Sequence, residues 1–97
     1  MRCSVYFRPE AEVEVLESQH WYEGRRRGLG AEFEEGVAET VSRVAENPLA
    51  FQKVHGETRR AVLRRFPYAI YFRLTGDQVV VLAVHGRQHE KHWQSRS

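Results

Sequence analysis

Cysteine is nearly absent: Cys3 is the one thiol in 97 residues, so no internal disulfide can staple the fold. That fits a reducing compartment. Cys3 heads a short apolar segment, where a small buried hydrophobe is expected ahead of a reactive thiol. Long apolar runs are missing too. The longest, residues 79–84, is strand-sized and far short of a membrane span, so no membrane association is expected. The opening Met1-Arg2-Cys3-Ser4-Val5-Tyr6-Phe7 has neither a long apolar region nor a small-residue cleavage site. No signal peptide is therefore expected, and a cytoplasmic location is. No segment repeats, and none is of low complexity. His85, His89 and His92 gather near one end without cysteine and with only Glu90 among them, so neither a metal nor any other cofactor is expected.

What is present is an ordinary globular composition, 41% hydrophobic and 29% charged, in a length that suits one domain. That domain is expected to span 1–97, with 87–97 as a polar tail. The net charge of +2 hides a division. Residues 1–47 carry six Arg against ten Glu, and residues 48–97 carry nine Lys and Arg against three Asp and Glu. The basic second half is the expected side for an anionic partner.

Residues 4–7 read as a first strand. Pro9 suits a first helical position, and Glu10, Glu12 and Glu14 suit the dipole of a helix start. Val13, Leu16 and His20, extended by Trp21 or Tyr22, recur at helical spacing and are expected to pack inward. Gly24 and Arg25-Arg26-Arg27-Gly28 predict a basic turn. A second helix begins near Leu29. Phe33, Val37, Val41 and Val44 make one face of it, and Asn47-Pro48 ends it. Gly36, inside this helix, is expected where the first helix approaches. Residues 49–58 read as a loop.

Three strands follow, over residues 60–66, 68–74 and 79–85. Thr75-Gly76-Asp77-Gln78 turns the last two into a hairpin with Leu74 opposite Val79. Strict alternation then puts Tyr68, Ile70, Phe72, Leu74, Val79, Val81, Ala83 and His85 on the helix-packed face. Ala69, Tyr71, Arg73, Val80, Leu82 and Val84 fall on the other face, which two helices cannot cover and which is expected to await a partner. The fold class is α+β: an N-terminal strand, a two-helix antiparallel hairpin and a three-stranded antiparallel sheet, β-α-α-β-β-β.

Several segments together carry a resemblance. Phe7-Arg8-Pro9-Glu10-Ala11-Glu12 enters the first helix, and Ala45-Glu46-Asn47-Pro48 closes the second. Arg64-Arg65-Phe66-Pro67-Tyr68, Ile70-Tyr71-Phe72-Arg73 and Val80-Val81-Leu82-Ala83-Val84-His85-Gly86-Arg87 follow. In this order the chain resembles the ParE/RelE superfamily of bacterial type II toxin–antitoxin toxins over nearly its whole length. The resemblance implies a growth inhibitor linked to stress response or to plasmid or chromosome maintenance. It implies a cognate antitoxin with an acidic, partly disordered C-terminal segment, seated on the Ala69–Tyr71–Arg73 face or in the groove of the helical hairpin. Operator DNA would be reached only through that antitoxin, and uncovered apolar surface would also allow a homodimer.

The superfamily divides by target. RelE-like members cut messenger RNA on the ribosome with basic sheet residues and a C-terminal tyrosine or similar group. ParE-like members poison DNA gyrase and are not enzymes. Here Ala69 stands where the RelE pattern has arginine, and Trp93 stands nearest to the tyrosine. His85-Gly86-Arg87-Gln88-His89 is similar to the His-Gly-Arg-Arg ending of ParE-like members, so the ParE-like reading is favoured. Contacts to target or antitoxin are expected from Arg64, Arg65, Tyr71, Arg73, Arg87 and Trp93. No catalytic residue is assigned. The ribonuclease alternative would use Arg65, Arg73, Arg87 and His89, and a third reading is an inactive toxin kept as part of a repressor complex. Arg25-Arg26-Arg27 reads as a solvated turn, with contact to DNA or gyrase as its alternative. His85 reads as a hydrogen-bonded histidine at the end of the sheet, with acid–base work on RNA as its alternative.

Overall fold

Residues 2–86 are described in a computed structural model. Strand β1 (Ser4–Phe7) leads into helices α1 (Pro9–Arg25) and α2 (Leu29–Glu46). A single 3-10 turn (Pro48–Ala50) precedes β2 (Lys53–His55), β3 (Thr58–Val62), β4 (Tyr68–Thr75) and β5 (Gln78–Gly86). The sheet order is β1-β5-β4-β3-β2, with β1 parallel to β5 and the other pairs antiparallel. The expected α+β order is present, and two features extend it. A short strand, β2, forms where a loop was expected, and β1 joins the sheet edge beside the last strand.

Helix α2 follows its sequence pattern. Phe33, Val37 and Val44 are buried, with Val41 packed beside them. Burying a side chain of this size stabilises by roughly 1.5–3 kcal/mol. Helix α1 does not follow the expected stripe. Ala11, Val15 and Tyr22 face the core, while Val13 and Leu16 are 50% and 63% exposed. The segment from Val13 to Tyr22 carries apolar residues on more than one side, so periodicity alone did not select the packed one. Close approach of the helices falls at Gly30, where an added Cβ would lie 2.8 Å from the Gln19 carbonyl oxygen. Gly36 faces Phe66 and Leu63 at ordinary contact distance.

The expected strand over 60–66 is displaced. Pairing ends at Val62, and residues 64–67 form a turn that carries Phe66 back into the core against Tyr22 and Phe33. In the β4–β5 hairpin Leu74 does face Val79, as expected. Then the register steps: Phe72 faces Val81, but Tyr71 faces Ala83, so Leu82 is one residue extra. Val84 is thereby turned into the helix-side core with Ile70, Phe72, Val79 and Val81. Ala83 joins Ala69, Tyr71 and Val54 of β2 in a cluster of its own. The face that was expected to be open is closed: Ala69 is 1% exposed, and Tyr71 and Leu82 are 0%.

Replacing Phe33 with alanine would leave a cavity between the hairpin and the sheet, and chemical denaturation should show a loss of about 3–5 kcal/mol.

Candidate functional site

Among the described residues, the anticipated contacts do not converge. Arg64 and Arg65 lie in the turn between β3 and β4, both exposed and both held by carboxylates of α2. Arg65 Nη2 is 2.6 Å from Glu32 Oε1, and Arg64 Nη1 is 3.9 Å from Glu39 Oε2. Arg73 is half-buried on β4 opposite Thr58 and Val80. It borders a depression of about 280 Å³ with His55, Gly56, Glu57 and Thr58. From Tyr68, beside the first pair, to Arg73 the strand runs five residues, roughly 16 Å. Tyr71 is core and presents no contact surface. Arg87, His89 and Trp93 lie outside the described residues.

His85 is a buried titratable group of the sheet. It stands opposite Ala69, and its imidazole Nε2 lies 3.0 Å from Glu14 Oε2 on α1. The other oxygen, Glu14 Oε1, accepts the Val84 backbone N–H at 2.9 Å. One carboxylate thus ties the helix to the last strand through both backbone and side chain. A cleft of about 320 Å³ opens beside the pair, lined also by Glu17, Ser18, Tyr68 and Gly86. A carboxylate beside an imidazole is the geometry of a structural tether as much as of a general base. No group of three or more His, Cys, Asp or Glu placed to hold a metal exists among the described residues.

A second locus lies at the end of the helical hairpin. Gly28 precedes α2 with φ of 89°, a left-handed conformation that suits glycine. Glu23 accepts the Gly28 N–H at 3.0 Å and the Gly30 N–H at 3.0 Å. These amides hold its carboxyl below the ordinary glutamate value. Glu32 accepts from Arg65 and from Arg26, at 2.6 and 3.2 Å, and both lower its pKa in turn. The turn between the helices and the turn between β3 and β4 are therefore one end of the molecule. The sequence held every residue of this link, but not the pairing of positions 33 apart.

A third locus is the groove between the helices. Phe7, Val15, Leu16 and Val37 floor a cleft of about 250 Å³ whose rim includes Glu12, Gln19 and Glu34. Leu16 and Gln19 also border a neighbouring depression of about 410 Å³ with His20, Glu23, Gly30 and Ala31. Among the described residues no helix is long and apolar enough to cross a membrane.

No protein-family model matches the chain, and no curated protein matches it. Solved structures do. A chain of the chromosomal ParDE TA system from P. aeruginosa superposes with a TM-score of 0.77 at 15% identity, covering 88% of this chain and 96% of that one. A mutant E. coli toxin RelE in the free state gives 0.73 at 20% identity, covering 99% and 94%. The RelBE2 toxin-antitoxin complex from Mycobacterium tuberculosis gives 0.65 at 18% identity, covering 90% and 100%. The fold is that of ParE and RelE. The likeness runs through the whole β-α-α-β order, with few identical residues.

Depressed carboxyls at Glu23 and Glu32 contribute stability above the unfolded glutamate pKa, and that contribution is lost as pH falls through the folded values. Thermal melts should therefore show the wild type weakening across the acidic range. Glu23→Gln should be less stable at neutral pH, and its stability should fall less steeply with acid.

Proposed function

We propose that the chain is the toxin of a type II toxin–antitoxin pair, a single domain that inhibits growth in the cytoplasm and is neutralised by a cognate antitoxin. The observation that carries this reading is the full-length fold likeness to ParDE and RelBE components. For the target we favour binding to DNA gyrase. The placement of Arg65 in the turn before β4, and of Arg73 toward the far end of that strand, supports it, because a phosphodiester in a ribonuclease site needs its cations within contact of one group. The antitoxin seat follows from burial. With Ala69, Tyr71 and Leu82 enclosed, the hairpin groove and the exposed Leu16 beside it supply the apolar surface that a folding-on-binding segment requires.

The full-length likeness to a free RelE keeps a ribosome-dependent endoribonuclease as the second reading. Expression of the chain alone should stop growth, and co-expression of the adjacent antitoxin gene should restore it. Purified protein should block supercoiling by gyrase and leave messenger RNA intact in a translation extract. Rapid loss of message with unaffected gyrase would establish the RelE-like reading instead. Unimpaired growth on expression alone would contradict both and point to a retired toxin within a repressor complex. Leu16→Glu should abolish rescue by the antitoxin while leaving growth arrest in place.

A further inference from the structure

We propose that the end of the molecule where the two turns meet binds single-stranded nucleic acid, with its arginines on phosphates and Trp21 against a base. This inference shares Arg64 and Arg65 with the contacts expected above and goes beyond them in the inter-helix turn and Trp21. Arg25, Arg26 and Arg27 at the helix turn, and Arg64 and Arg65 at the β3–β4 turn, are all exposed. Glu32 draws Arg26 and Arg65 to one carboxylate, so two basic clusters far apart in sequence form one surface. Apart from exposed Glu35, the acidic groups of that surface are already engaged. Glu32 serves two guanidinium groups, Glu39 serves Arg43 and Arg64, and Glu23 is held by backbone amides. Positive charge is left over, and it is presented as planar, multidentate donors suited to phosphate.

Trp21 decides the kind of ligand. Its indole is 52% exposed at the end of α1. The ring is held edge-on to Tyr22 at 5.0 Å, and the Arg25 guanidinium lies over it at 4.3 Å. Tyr22 in turn packs on Phe66, next to Arg65, so the indole is anchored to the same basic end. A solvated basic turn has no use for a large apolar ring fixed in water. An exposed aromatic flanked by cations is how proteins hold an unstacked base beside its backbone. A duplex would engage the arginines and leave the indole idle, because its bases are already stacked.

The test uses the full chain and fluorescence anisotropy with labelled oligonucleotides of roughly twelve nucleotides, a length within the usual range of single-strand sites. Single-stranded DNA, single-stranded RNA and duplex of the same length are compared across a salt series. Single strands should bind more tightly than duplex, and the better of the two identifies the natural class. Trp21→Ala should weaken single-strand binding about tenfold and leave duplex binding unchanged. The triple variant Arg25→Ala/Arg26→Ala/Arg27→Ala should lower the slope of log affinity against log salt by about two, at about 0.7 per phosphate contact. Arg64→Gln/Arg65→Gln, at the other turn, should also lower it. Circular dichroism checks that each variant remains folded. Three results would overturn the proposal: equal affinity for single strands and duplex, an unchanged slope in both arginine variants, or tighter binding to polyglutamate than to any oligonucleotide.

Discussion

Leu82 is one residue more than the β4–β5 ladder needs, and that surplus decides which side of the sheet each apolar side chain serves. Before it, Val79 and Val81 point toward the helices. After it, Val84 does so, although alternation from Val81 would have sent it to the opposite side. Ala83 is released to pack with Ala69, Tyr71 and Val54. A bulge also bends its strand and sharpens the local twist. In β5 it lets a strand of apolar residues bury nearly every side chain, as strands covered on both faces do. Glu14 secures the result from the helical side by accepting the Val84 amide while it holds His85.

Strands β4 and β5, enclosed on both faces, offer no greasy platform, and the exposed apolar groups of α1 and the arginines of the two turns lie away from them. Helix α1 bears this out in its own sequence. Its inner side, Ala11, Val15 and Tyr22, satisfies the core, yet it also carries Val13, Leu16 and Trp21 outward. Exposed apolar groups of this size on one short helix do nothing for folding, and they are the groups a partner can bury. The arginines divide in the same way. Arg73 stays with the sheet, whereas Arg64 and Arg65 are pulled toward α2 and the basic inter-helix turn.

Much of the architecture was legible because it rests on local signals. Pro9 and Asn47-Pro48 mark helix ends, Phe33 to Val44 states a single face, and Gly76 closes a hairpin whose Leu74–Val79 register follows at once. What was not legible depends on long-range choices. The bulge has no sequence mark, so the faces of Ala83 and Val84 came out exchanged. The packed side of α1 was ambiguous because apolar residues occur all round it. Strand β2 is three residues long, with a basic first residue and a single apolar one, Val54, and it pairs only because β3 folds back on it. The contact of Glu14 with His85 spans 71 positions, and that of Glu32 with Arg65 spans 33. Residue types did not single out Glu14 or Glu32 as the partner.

The central claim is that the inner strands β4 and β5 are enclosed on both faces, with exposed aromatic and apolar groups among the described residues confined to the helices, the loops and the other strands. Tyrosine nitration of the native protein, read residue by residue by mass spectrometry, tests it directly. Tyr6, 49% exposed, should react readily, and Tyr71, fully enclosed, should react only after unfolding. Nitration of Tyr71 at the rate of Tyr6 in the folded protein would show an open sheet face and would contradict the account.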